Sequence, residues 1–196
     1  MKPVPKTKLP GNARESRIAF PIAPALLAAS HRPAQLSCVK PLFQAFTMPA
    51  PSPLPGTYLI TLKNTASRRI TIGRKGTFLF PPGYYCYVGS ALGPGGVLSR
   101  VRRHCNISKR KHWHIDFLRE VATPVAVWFT HATIRHEHHW ADALSRLSKA
   151  QAVEGFGCTD CTCLAHLYCF PNPPSLEEFA LVANCAVSAC QCGELG

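Results

Sequence analysis

Acidic residues are nearly missing from one third of this 196-residue sequence: between Gly56 and Arg119 there is one, Asp116, against twelve Lys/Arg. That scarcity excludes a surface of mixed sign and leaves one suited to an anionic partner. Also missing is any run approaching the roughly 20 apolar residues of a membrane helix, so no membrane is expected among the partners. A secretory signal is missing too, because the apolar stretch from Ile22 to Ala29 is broken by Pro24 and no convincing cleavage site follows it. Without that route, the ten cysteines do not read as a disulfide framework. The expected location is the cytoplasm, beside the nucleoid in a bacterial or archaeal cell. Organellar targeting is not expected, although the N-terminal stretch is basic and has Glu15 as its sole acid.

Residues 1–55 hold eleven prolines and no sustained alternation or helical period, so they are expected to form a disordered or extended basic extension. Met48, just before the Pro-rich run into Gly56, is a candidate start of translation. Residues 1–55, 56–119 and 120–196 carry +6, +11 and −5. The length allows one good core, assigned to residues 56–170, with 171–196 as a Cys-rich tail.

Periodicity predicts the elements. Tyr58 to Leu62 is β-rich, and Arg69 to Ile72 with Thr77 to Phe80 reads as a hairpin about a Gly-Arg-Lys-Gly turn; Tyr84 to Val88 is a further strand ended by Gly89. Val97, Leu98, Val101 and Cys105 share one helical face, and Arg100, Arg103 and His104 share another. A short helix is predicted over Trp113 to Val121, a strand over Val125 to Phe129 and a third helix over His136 to Lys149. In that last helix Trp140, Ala143, Leu144 and Leu147 form the apolar face and Asp142 and Arg146 an i, i+4 ion pair. Glu137 falls on the inward side, where a carboxylate needs a partner: the helix dipole, an arginine or a ligand.

Two short motifs stand on predicted strands, Gly56-Thr57-Tyr58 and Tyr87-Val88-Gly89-Ser90, followed by Arg100 and His104 on the basic helix and by Glu137. In this order they resemble the signature of the GIY-YIG nucleases. His112-Trp113-His114-Ile115-Asp116, Gly155-Phe156-Gly157, Asp160-Cys161, Cys163 and His166-Leu167 are similar to the pattern of the Uri-type branch. Two features depart from the family: Thr57 stands where isoleucine is usual, and 28 residues separate Tyr58 from Tyr87, the extra ones being the predicted hairpin. The resemblance implies an α/β (α+β) fold, a small antiparallel sheet flanked by three helices, with that β-hairpin inserted between the motifs.

It also implies a metal-dependent endonuclease that hydrolyses phosphodiester bonds in DNA, with RNA left open. Glu137 would hold one Mg²⁺ or Mn²⁺, Arg100 would bind the phosphate, Tyr58 would take the proton of the attacking water and Tyr87 would support the site. A phenol with an ordinary pKa near 10 costs about 4 kcal/mol to ionise at neutral pH, so His104 is an alternative proton acceptor. Phosphate contacts are expected from Arg68, Arg69, Arg74 and Lys75 on the hairpin, and from Arg102, Arg103, Lys109, Arg110 and Lys111 on and after the basic helix. Cys158, Cys161, Cys163 and His166 offer soft ligands at short spacing for a structural Zn²⁺, the alternative being buried or idle thiols. His112, His114 and Asp116 read either as a second metal site or as capping and packing groups, and His136, His138 and His139 as adventitious nickel or zinc ligands. The rival functions are an accessory module that binds nucleic acid without cutting it, serving a repair protein, and a zinc-dependent interaction protein.

Overall fold

β1 (Gly56–Asn64) is paired along its whole length on both sides, with β4 (Gly83–Ala91) and with β5 (Thr123–His131), both antiparallel. A central strand covered on both faces needs an almost continuous apolar run, and eight of its nine residues are buried. Tyr58, Ile60 and Leu62 enter one core and Leu59 the other. The six-stranded sheet runs β6-β7-β4-β1-β5-β8, with β6 (Gln151–Ala152), β7 (Leu167–Phe170) and β8 (Ser188–Gln191) antiparallel to their neighbours. The computed structural model describes residues 50–195.

The first core lies under α1 (Gly96–Cys105), α2 (His114–Leu118) and the separate hairpin β2 (Arg68–Thr71) and β3 (Thr77–Phe80). Ile70, Ile72, Phe78 and Phe80 supply the hairpin's share, and Asn64 closes its base by donating to the carbonyls of Phe80 and Pro81 at 3.0 and 2.9 Å. The second core lies under α3 (Glu137–Arg146) and α4 (Leu176–Ala183), where Phe179 packs against Trp128 and Trp140 at 5.3 and 5.2 Å between ring centroids.

The α+β class, the antiparallel sheet and the inserted hairpin agree with expectation. Four details differ. Residues 171–196 are not an appended tail, because α4 covers the second core and β8 pairs with β5; the α-helices among the described residues therefore number four. The expected extension does not reach residue 55, because the carbonyls of Ser52 and Leu54 accept the N–H groups of Leu98 and Val97 at the start of α1, at 3.1 and 3.0 Å. Gly96 permits that approach, since a Cβ there would lie 2.1 Å from the Leu54 oxygen. The remainder of the expected extension, with Met48, lies outside the described residues. Finally, α3 stops at Arg146, where Leu147 leaves the helix to be buried and Lys149 turns left-handed. No helix among the described residues is long and apolar enough to cross a membrane.

Candidate active site and metal centre

The two motifs meet across the β1–β4 ladder, where Tyr58 faces Gly89. A Cβ on Gly89 would sit 2.4 Å from the Tyr58 hydroxyl, so the glycine of the second motif makes room for the tyrosine of the first. The hydroxyl then reaches His104 Nε2 at 2.7 Å, and both groups are buried. Behind the imidazole, Asp116 Oδ1 is 3.8 Å from Nδ1. Asp116 is itself held firmly: its Oδ2 accepts from the backbone N–H groups of His112 and Trp113 at 2.9 and 3.1 Å, and Lys109 Nζ lies 2.6 Å from Oδ1.

These surroundings fix the protonation states. Burial pulls the Asp116 carboxyl upward, but hydrogen bonds from His104, Lys109 and the two amides outweigh it and hold the group well below the usual carboxylate range. Burial pushes His104 below its ordinary value, with Asp116 only partly opposing, so the ring is neutral at neutral pH. An anion behind Nδ1 favours the tautomer with its proton there, which leaves Nε2 to accept from the Tyr58 O–H. Burial raises the Tyr58 phenol well above 10, reinforced by Tyr87 and Glu137 and opposed by Arg100, and burial likewise raises Tyr87.

Arg100 and Arg103 both stack on Trp113, their guanidinium carbons 4.5 and 4.7 Å from its ring centroid. Buried Arg119 fastens the end of α1 to α2, donating to the carbonyls of His104 and Cys105 at 2.8 and 3.2 Å. Glu137 opens α3, and the helix start is tethered by the His136 N–H, which donates to Thr57 Oγ1 at 3.1 Å. Thr57, which stands where the resembled motif has isoleucine, thus anchors the helix bearing Glu137. The partner of that carboxylate is neither the dipole alone nor an arginine: Glu137 Oε1 faces His166 Nδ1 at 3.1 Å.

Tyr58, Tyr87, Arg100 and Glu137, from four elements, line one cavity of about 310 Å³, together with Trp113, Arg135 and Asp160. Arg103, Arg110, Lys111 and His112 line a separate depression of about 490 Å³. Lys109 leaves the expected phosphate-binding set, because its ammonium turns inward to Asp116. Arg102 donates to the Leu195 carbonyl at 3.2 Å, and Lys111 pairs with Glu120. Arg68 and Arg69 on β2 and Lys75 in the turn are exposed; Arg74 lies in the same 3-10 turn. His112 contributes a backbone amide and His114 accepts from the Gly157 N–H at 3.0 Å, so the capping and packing reading of this segment holds.

The soft-ligand group differs by one member from expectation. His138, Cys161, Cys163 and His166 bring one ligand atom each within 4.8 Å of one another and could hold a metal such as zinc. Cys158 stands outside, its Sγ turned to the Phe156 carbonyl at 3.5 Å, and His138, on the turn that carries Glu137, takes its place. The roles of Asp116, His138 and Asp160 eluded the motif. One signal for the first was present: a lone acid in a cationic segment, standing at the third position of a short helix, is suited to bind the amides that precede it.

An α+β chain with a polar cavity at the meeting of two strand motifs, and a thiol–imidazole group beside it, is the class of protein defined by this fold and site. A family model for the domain of unknown function DUF123 matches residues 57–187, and the chain belongs to that family. No curated protein and no solved structure matches it.

Proposed function

We propose that this protein is a divalent-metal-dependent endonuclease of GIY-YIG type that hydrolyses phosphodiester bonds in DNA. The observation that carries the reading is the convergence of Tyr58, Tyr87, Arg100 and Glu137 on one cavity, from elements far apart in sequence. An accessory module that had lost catalysis would have no need to keep these four groups together.

Ionising Tyr58 beforehand is disfavoured by its burial, so the proton moves through it. The attacking water gives its proton to the phenol oxygen as the phenol proton passes to His104 Nε2, and the fixed charge of Asp116 stabilises the resulting imidazolium. Arg100, braced on Trp113, offers a planar fork to two phosphate oxygens. The carboxylates of Glu137 and Asp160 give the cavity hard oxygen donors, which suit Mg²⁺ or Mn²⁺ and would hold it. A bound ion of this kind supplies Lewis-acid charge at the phosphate. The Arg103, Arg110 and Lys111 depression and the exposed Arg68 and Lys75 provide backbone contacts, which are independent of base sequence and chemically open to RNA as well as DNA.

Cleavage and binding are to be measured side by side on duplex, branched and single-stranded DNA and on RNA, with Mg²⁺ and with Mn²⁺. Glu137→Gln should abolish cleavage and leave affinity within a few-fold; Tyr58→Phe should slow single-turnover cleavage on the order of a hundredfold or more. Wild-type cleavage in either variant removes that residue from the mechanism. Binding without cleavage on every substrate turns the protein into a non-cleaving module.

A further inference from the structure

His166 sits between two sites. The residue is 2% exposed, with Nε2 3.4 Å from Cys161 Sγ on one side and Nδ1 3.1 Å from Glu137 Oε1 on the other. Nδ1 is buried without a well-aligned hydrogen bond, and the carboxylate oxygen is the group it faces. The backbone of His166 is fixed independently of its side chain: its N–H donates to the Phe156 carbonyl at 2.8 Å and its carbonyl accepts from Val88 of β4 at 2.9 Å. The ring therefore has little freedom to serve one neighbour without constraining the other.

The remaining members bring the set to four ligands, two thiols and two imidazoles. His138 Nδ1 lies 3.1 Å from Cys163 Sγ, and all four ligand atoms are within 4.8 Å of one another. Bonds of about 2.3 Å to sulfur and about 2.1 Å to nitrogen around a tetrahedral Zn²⁺ put neighbouring ligands about 3.3–3.8 Å apart; the His138–Cys163 and Cys161–His166 pairs stand at 3.1 and 3.4 Å, and the other pairs within the 4.8 Å limit need only a small inward shift to bind. Two thiolates with two imidazoles select zinc over Mg²⁺, which needs oxygen ligands. A zinc-bound histidine ordinarily donates its other ring N–H to a carboxylate, fixing ring and carboxylate together.

We propose that His138, Cys161, Cys163 and His166 bind a Zn²⁺ ion and that this ion, through His166, holds the Glu137 carboxylate at the cavity. His138 precedes no other ligand on its helix and follows Glu137 directly, so the ion also ties the first turn of α3 to the loop that carries Asp160 beside Cys161. Both carboxylates of the cavity are thereby set by one centre built from ligands of the opposite hardness to their own. His166 is a positioning residue, and only its consequence for cleavage rests on the nuclease reading of Glu137.

The test uses the full chain, purified without a nickel column, then stripped and reloaded with Zn²⁺ or Co²⁺. About one equivalent of zinc is expected, with Co²⁺ giving tetrahedral visible bands and a thiolate charge-transfer band. His138→Ala and Cys161→Ser should lose the metal, and Cys158→Ser should retain it. Glu137→Gln leaves every ligand in place, yet should weaken zinc about 10–100-fold in a chelator competition and shift the Co²⁺ bands. Glu137→Asp, which keeps a carboxylate, should recover part of the loss; it also serves if Glu137→Gln does not fold. Substoichiometric metal in the reloaded wild type overturns the site, and wild-type affinity and spectrum in both Glu137 variants overturn the relay. Neither readout involves cleavage, so an inactive protein that passes them refutes the nuclease reading alone.

Discussion

Tyr58 owes its position to a Cβ that Gly89 lacks, and its chemistry to an acid that stands alone in a cationic segment. The motif residues were legible because a strand's register sets which residues oppose each other, and two short glycine–aromatic motifs fit that pairing. The group behind them was not, since only the packing of α2 against α1 sets Asp116 behind His104. This buried pair makes stability pH-dependent. The folded protein keeps His104 neutral below its ordinary value, whereas the unfolded chain takes up that proton near 6.5, so stability declines as pH falls below about 6.5 until the folded ring also protonates. His114, also pushed down by burial and by Lys75, adds to the same limb. Asp116 has the depressed value typical of a paired carboxylate: its contribution is complete above about 3.9 and is lost as pH falls further, through its folded value. Thermal midpoints should therefore be nearly level between about pH 7 and 8 and fall in two stages on acidification. His104→Asn should shrink the first stage to the share of His114 and move the second toward the ordinary carboxylate range, because it removes a hydrogen bond that holds Asp116 down; an unchanged first stage would mean that the ring is not held neutral.

Among elements, those from β1 to α3 could be read because each has length, a clear period or a turn at its end. β7, α4 and β8 could not. β7 is a four-residue run buried on both faces, which carries no alternation, and β8 is equally short. α4 exposes Leu181 while burying Phe179, which blurs its apolar stripe. Pairing of β8 with β5 and the packing of Phe179 against Trp128 and Trp140 build this C-terminal region into the fold, Phe179 entering the second core, the one on which α3 and hence Glu137 rest. Phe179→Ala should accordingly cost about 3–5 kcal/mol in denaturant unfolding, the scale of emptying a buried aromatic site. A cost below about 0.5 kcal/mol, the level of an ordinary surface substitution, would return residues 171–196 to an appended tail.

At the scale of the whole molecule, charge and fold divide the chain at different places. The +11 segment from Gly56 to Arg119 supplies β1 to α2, the −5 segment supplies the rest of the sheet and most of the second core, and the remaining +6 lies in residues 1–55. Among the described residues of that stretch, Pro51 is buried, and the carbonyls of Ser52 and Leu54 receive N–H groups from the first turn of α1, the helix that carries Arg100 and His104. Two truncations separate electrostatics from structure. Removal of residues 1–47 takes away seven Lys/Arg and Glu15 and should leave the thermal midpoint and cleavage unchanged, because no apolar period there could join a core. It should weaken non-specific DNA binding at low salt, with a shallower dependence of log K on log salt and a difference that shrinks as salt rises. Removal of residues 1–55 also deletes both carbonyl acceptors at α1. Each lost bond is worth about 0.5–1.5 kcal/mol, so with Pro51 gone the midpoint should drop by at least about 4 °C. On the nuclease proposal cleavage should fall with it, since the end of α1 carries His104, which lies 2.7 Å from the Tyr58 hydroxyl. Equal midpoints for the two truncations would show that residues 51–55 only lean on the fold, and a large fall on removing residues 1–47 alone would show that part of the core has its partner there.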